Sequence, residues 1–395
     1  MRRYAFPMVQ TFQLVAPRAK KMSADRANLG EMLFNGSARG LVRLLAVPVR
    51  PQNPPETASS TLAQAQNSRL TATAAQMASH GAAKDMGGTD GHFVIDRPVS
   101  FSTLPPEVCR LIFACIQRID DVICLGLANR YFWSMGRERM HDYYMSFLGE
   151  LANENIVCVG EDVKPGDYPP GLFSAQELDV LGQREGGIPD DWDSDWDDEA
   201  YLKVPFTLYH FTFLSISTMV EDVCLFNKSL ALLGHFSLLG ISKDPAFNCT
   251  CLEMRVEEAT YFPQDQQWIL RNLTTKQLVR SEAIVLKPEF IHGPNISVLG
   301  FGEVVMSRIR WSTSSYTNMS ATVDVSRGVW AGHRFDITTL ARHQDEINEV
   351  GWSDVSDEVA REIAVIWESE YGADWRETVC EDWYTKFGRS LRPVS

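Results

Sequence analysis

Four residues in the middle of the chain have the side chains that zinc binds. Cys249 and Cys251, with Cys224 and His235 upstream, are soft ligands of the kind found in tetrahedral zinc sites. The Cys-x-Cys spacing differs from that of the usual zinc-binding pairs. We therefore favour buried structural thiols at these positions and expect no metal or other cofactor.

Two histidines and one glycine-containing segment are the candidates for catalysis. His333 lies in GHRFD and His292 in FIHGP, but no serine or cysteine nucleophile motif accompanies either one. Residues 300–304, GFGEV, are similar to a nucleotide-covering loop, yet Val305 stands where the third glycine belongs. We expect the two glycines to mark a bulge or turn between strands, and we expect no catalytic residue.

The most acidic part of the sequence is DDWDSDWDDE, within a predicted loop at residues 186–200. A calcium loop would need a central glycine and a glutamate at its twelfth position, and both are missing. A solvated acidic loop is the simplest interpretation. The alternative is that Trp192 and Trp196, surrounded by carboxylates, bind a basic segment of a substrate by cation–π and charge interactions.

Arginines alternate with apolar residues in the predicted strands near the end of the chain. Arg308, Arg310 and Arg334 could lie on one sheet face and bind an acidic or phosphorylated segment of a substrate, although a solvated face is the simpler interpretation. The tryptophans of the same region are expected in the core. These are Trp268, Trp311 and Trp330.

The residues between 101 and 151 have the period of helices. Pro105 and Pro106 suit the first turn of a helix, and apolar residues follow at spacings of three and four. Asp120 and Asp121 indicate the start of a second helix, and Asn129 that of a third. We predict three short helices.

Beyond residue 155 short strands alternate with a few helices. Capping boxes at Ser174 and Thr218 predict two helices, and Gln267 begins a strand, a turn and a second strand. This pattern predicts an α+β fold, in which the small helical module precedes a mixed domain with a curved antiparallel sheet or small barrel and C-terminal helices. The predicted boundaries are a disordered, low-complexity tail at 1–92, the helical module at 93–151, and a recognition domain at 152–395 with terminal helices at 353–388.

Composition restricts the function classes. The 395 residues carry 37 Lys and Arg against 51 Asp and Glu, a net charge of −14, which disfavours binding to nucleic acids or to anionic membranes. The first residues are too interrupted by Pro and Gln for a secretory signal, and no apolar stretch is long enough to span a membrane. Eight cysteines without a CxxC pair fit a reducing compartment. We expect a cytoplasmic or nuclear protein.

Residues 104–133, LPPEVCRLIFACIQRIDDVICLGLANRYFW, resemble an F-box. The family pattern is a Leu-Pro pair with a nearby Glu, an apolar stripe, an acidic start to a second helix, a Leu-rich middle, and a small-polar-basic run before aromatics. Trp133 comes earlier than the family's tryptophan. The matching residues are Leu104-Pro105, Glu107, Val108, Ile112 and Ile116, Asp120-Asp121, Leu125 and Leu127, Ala128-Asn129-Arg130, and Phe132-Trp133.

The resemblance implies a non-catalytic substrate receptor of an SCF-type cullin–RING ubiquitin ligase. Its helices would bind a Skp-type adaptor that joins the cullin, and the C-terminal domain would present a protein substrate. The expected adaptor contacts are Leu104, Pro105, Glu107, Val108, Leu111, Ile112, Cys115, Ile116, Val122, Leu125, Phe132 and Trp133.

Two alternatives stay open at this stage. One is a protein-interaction scaffold outside any ligase, in which the apolar helix faces pack within the chain. The other is a ligand-binding or enzymatic domain, which would need a deep pocket lined by Glu303, His333 and Arg334.

Overall fold

The computed structural model describes residues 10–24, 26–36, 38–51, 104–186, 204–213, 217–218, 225–238, 254, 256–314, 326–346 and 351–387. The chain divides into two compact units. The larger unit comprises Met1–Val49 and Tyr143–Ser395, and the smaller comprises Arg50–Asp142.

The first sheet of the larger unit is mixed and has five strands. Its middle strand comes from the N-terminal part of the chain and pairs antiparallel with a strand about 145 residues further on, with Val15 opposite Val157. In spatial order the strands are β11 (Arg310–Trp311), β3 (Val157–Gly160), β1 (Phe12–Ala16), β2 (Lys21–Met22) and β6 (Ser217–Thr218). All residues of β1 and β3 are buried.

The second sheet of the larger unit has four strands. In spatial order these are β12 (Phe335–Thr339), β7 (Trp268–Asn272), β8 (Gln277–Arg280) and β13 (Ser353–Asp354). β7 and β8 form the hairpin that the sequence predicts, with Asn272 opposite Gln277. The Asn272 Oδ1 atom accepts hydrogen bonds from the backbone N–H groups of Thr274 and Thr275, which fixes the turn.

The other described elements of the larger unit are two short strand pairs and a set of helices. Two strand pairs are antiparallel: β4 (Glu185–Gly186) with β5 (Val204–Pro205), and β9 (Ile291–His292) with β10 (Asn295–Ile296). The helices are α1 (Leu29–Phe34), α2 (Ala38–Leu45), α6 (Ala175–Gly182), α7 (Leu225–Leu238), α8 (Ser281–Ile284), α9 (Phe301–Arg308), α10 (Leu340–Glu346), α11 (Ser356–Tyr371) and α12 (Trp375–Phe387). No described helix is both long and apolar enough to cross a bilayer.

The smaller unit contains the three predicted helices. They are α3 (Pro106–Cys115), α4 (Ile119–Leu127) and α5 (Arg130–Met145), the last of which ends in the larger unit. Asn129 caps α5 as expected, because its Oδ1 accepts a hydrogen bond from the Phe132 N–H at 2.8 Å. α4 and α5 cross closely at Gly126, where a Cβ would lie 3.1 Å from the Trp133 ring, so a larger residue would displace that ring.

The α+β class is confirmed, and three more specific predictions are corrected. The described strands form mixed sheets and do not close into a barrel. Residues 10–51 are not part of a disordered tail, because β1 and α2 bury apolar side chains against elements far along the chain, which local composition does not reveal. Residues 301–308 form a helix and not a turn between strands, and the Glu303 Oε2 accepts a hydrogen bond from the Gly300 N–H at the start of this helix.

A candidate docking surface on the smaller unit

The core of the smaller unit is made by one face of α3 and its two neighbouring helices. Cys109 and Phe113 on α3 pack with Val122 on α4 and with Phe132 and Met135 on α5. The Phe113 and Phe132 rings lie 6.3 Å apart. Because these five side chains are 4% exposed or less, the unit has a small interior of its own.

The opposite face of α3 is apolar and uncovered. We call Val108, Leu111, Ile112 and Cys115 the α3 stripe. Leu111 is 65% exposed and Val108 is 39% exposed, Cys115 is exposed, and Ile112 is half-buried. At 3.6 residues per turn these positions fall within an arc of about 100°, so they form one continuous strip along the helix.

Local interactions define the starts of α3 and α4. α3 begins directly after Pro105, which has an extended backbone with ψ of 145°, and Pro106 occupies the first turn, where no helical hydrogen bond is lost. Glu107 is exposed at the positive end of the helix. At the start of α4, Asp120 is held by Arg118 at 2.6 Å.

The smaller unit has two exposed thiols, those of Cys115 and Cys124. Partial burial and the charges of Asp121 and Asp120 raise the pKa of the Cys124 thiol. Cys124 is therefore protonated at neutral pH and is a weak nucleophile.

The twelve predicted adaptor contacts separate into three groups. Val122, Phe132 and Trp133 are buried within the chain, so their prediction as direct contacts is corrected: they support the helices from inside. Leu104, Ile112, Ile116 and Leu125 are half-buried. The exposed group is Pro105, Glu107, Val108, Leu111 and Cys115.

The basic sheet face predicted in the larger unit is not present. Arg308 is 4% exposed, lies on α9, and pairs with Glu358 at 2.8 Å while its guanidinium stacks 4.2 Å above the Trp330 ring. Arg310 is buried in β11, and only Arg334 is exposed. Pairing with Glu358 and Glu362 allows Arg308 to be buried, whereas the sequence pattern alone shows only that these arginines alternate with apolar residues.

The other predicted positions divide between the core and the part of the chain outside the described residues. Trp268, Trp311 and Trp330 are buried, as predicted. His333 is half-buried, and burial lowers its pKa. The structure does not describe Trp192, Trp196, the acidic loop, the His235 side chain, or Cys224, Cys249 and Cys251.

No family model, curated protein or solved structure matches this chain. The F-box resemblance therefore stays a prediction. The geometry of the smaller unit is the structural observation that bears on function.

Proposed function

We propose that this chain is a substrate receptor of a cullin–RING ubiquitin ligase, which binds a Skp-type adaptor through α3 and α4. The receptor performs no chemistry in this proposal. It holds a substrate near the conjugating enzyme and raises the effective concentration of the substrate's lysines. The adaptor, the cullin and one protein substrate are its partners, in the cytoplasm or nucleus.

The observation that supports the proposal is that α3 has one apolar face in the core and a second apolar face that is exposed. One side supplies Cys109 and Phe113 to the core, so the helix is fixed without help from a partner. The other side leaves the α3 stripe exposed to water. A continuous apolar strip on a small helical unit is typical of a surface that another protein covers.

The size of the expected effect follows from the exposed fractions. Leu111 and Val108, at 65% and 39%, together expose about one complete side chain. Full burial of such a side chain stabilises by roughly 1.5–3 kcal/mol. Replacing both by Ala should therefore weaken adaptor binding by about tenfold to a hundredfold.

A matched control exists on α6 of the larger unit. Val180 and Leu178 are 64% and 37% exposed, so the double Ala variant there removes the same exposed apolar area. Titration calorimetry with a purified Skp-type adaptor would compare Val108→Ala/Leu111→Ala with Leu178→Ala/Val180→Ala. We expect only the α3 variant to lose affinity. Equal affinities for all three proteins, or an adaptor that does not bind the wild-type chain, would favour a scaffold outside the ligase.

A further inference from the structure

The larger unit contains a cleft of about 200 Å³ that the proposed function does not use. Its walls come from the end of α1, the start of α2, the β10–α9 connection, and the facing sides of α11 and α12. The cleft therefore brings together residues from four separate regions of the sequence.

Aromatic rings form one side of this cleft. Phe34 lies edge-on to Trp367, with ring centroids 4.9 Å apart and planes at 80°, and edge-on to Tyr371, at 5.4 Å and 88°. Trp383 lines the same cleft from α12. Rings at right angles present their electron-rich faces in more than one direction, and such faces attract cations.

A buried carboxylate lines the cleft as well. Glu303 is only 5% exposed, and its Oε2 accepts a hydrogen bond from the Gly300 N–H at 2.9 Å. The carboxylate also accepts a hydrogen bond from the backbone N–H of Glu303 itself, and the positive charge that acts on it is that of Arg39. Burial raises the pKa of Glu303 to about 6, so the group is ionised at neutral pH.

The other charged groups of the cleft are on its exposed rim. Arg39 is exposed and donates a hydrogen bond to the Ser297 hydroxyl at 3.5 Å. Asp382 and Lys386 are exposed on α12. These three side chains are hydrated whether or not a ligand binds. A buried carboxylate that has backbone N–H partners but no direct ion pair gains more from a cation than a hydrated carboxylate does. The ligand group that fits the interior best is therefore a cation with apolar substituents.

We propose that this cleft binds an alkylammonium group, with the ammonium against Glu303 and its carbon substituents against Phe34, Tyr371 and Trp383. A lysine side chain of a partner peptide, a methylated lysine and a free quaternary amine share this chemistry. If the chain also acts as a ligase receptor, the first two would define the substrate class. The site itself does not depend on adaptor binding.

The experiment is a calorimetric titration of the full chain with four probes. These are a short peptide with one central lysine, the same peptide with trimethyl-lysine, the same peptide with norleucine, and choline. We expect saturable binding of at least one ammonium probe and none of the norleucine peptide. The ranking of the three ammonium probes identifies the source of the ligand. Failure of all three to bind, or equal binding of norleucine, would overturn the proposal.

Two variants test the residues, and one provides a control. Glu303→Gln keeps an oxygen for the Gly300 N–H and should reduce affinity at least tenfold. Glu177→Gln is the matched control, because the Glu177 carboxylate likewise accepts a hydrogen bond from the backbone N–H of the residue before its helix, Ser174 before α6, but lies outside the cleft. Should Glu303→Gln fold poorly, Tyr371→Leu removes a ring at the half-buried rim and should reduce affinity about threefold to thirtyfold. Unchanged binding in the folded cleft variant would refute the assignment.

Adaptor titration with the same proteins separates this proposal from the ligase proposal. Glu303→Gln should leave adaptor affinity unchanged, and Val108→Ala/Leu111→Ala should leave ammonium binding unchanged. Either proposal can therefore fail while the other holds.

Discussion

The buried carboxylate of Glu303 makes a quantitative prediction about stability and pH. Its pKa is about 6 in the folded chain, against an ordinary value of 4.5, because burial disfavours the charged form. The folded state therefore binds this proton more tightly than the unfolded state. It follows that the contribution of this group to stability increases as the pH falls from 7 through 6, and levels off below 4.5.

The size of this contribution follows from the same two values. At about 1.4 kcal/mol per pH unit, the interval between 4.5 and about 6 corresponds to about 2 kcal/mol. Glu303→Gln removes the titrating group and keeps the side-chain oxygen that accepts from Gly300. The free energy of unfolding of the wild type, minus that of the variant, should therefore rise by about 2 kcal/mol between pH 7 and pH 4.5.

Urea unfolding at a series of pH values would measure this difference. The absolute stability is a poor test, because Asp167 and Asp354 have pKa values that their hydrogen bonds and arginine partners lower, and these groups lose stability as the pH falls. Glu177→Gln gives a control of opposite sign. Hydrogen bonds from Ser174 and Arg18 lower the pKa of Glu177, so the wild-type advantage over that variant should shrink in acid. A Glu303 difference that stays constant from pH 7 to pH 4.5 would refute the reasoning.

Two further predictions concern the cores of the two units. Asp336→Asn breaks a buried bidentate pair, in which both Asp336 oxygens accept from Arg271 at 2.6–2.7 Å. Because Glu346 still accepts from the same guanidinium at 2.8 Å, we expect the free energy of unfolding to fall by about 1.5–3 kcal/mol in urea titrations, and an unchanged stability would contradict this reasoning. Phe113→Ala empties the centre of the smaller unit at a cost of about 3–5 kcal/mol. Hydrogen exchange should then accelerate in α3 and α4, and unchanged protection there would contradict the assigned core.

The helix starts and the hairpin were predictable because their signals are local. Pro106 opens α3, Asn129 caps α5, and Ser174 with Glu177 forms the predicted capping box on α6. Gly372, with φ of 84°, follows the last residue of α11, the position at which glycine commonly ends a helix. Each of these signals depends on the geometry of a few consecutive residues, so it is independent of the rest of the fold.

The errors at β1 and at Arg308 involve partners that are distant in the sequence. β1 is stable because β3, from a region about 145 residues away, covers it. Arg308 is buried because Glu358 and Glu362 on α11 face it, at 2.8 and 3.4 Å. A single sequence shows that a residue is apolar or charged, but it does not show which distant element lies opposite. The same reason explains why the cleft at Glu303 was not predicted: its walls come from residues near positions 35, 300, 370 and 383.

The comparison of α3 with α6 shows which property of an exposed surface carries functional information. Single exposed apolar residues are common on protein surfaces, and each of the two helices has one leucine and one valine whose exposed fractions add up to nearly the same total. Leu178 and Val180 are two positions apart, which places them about 200° apart around α6, on different faces. Val108 and Leu111 lie on one face and continue to Cys115. A partner helix or groove can cover the exposed side chains of α3 in one contact, but it cannot cover those of α6 in the same way. The arrangement on α3, and not the amount of exposed area, is therefore what the paired alanine variants measure.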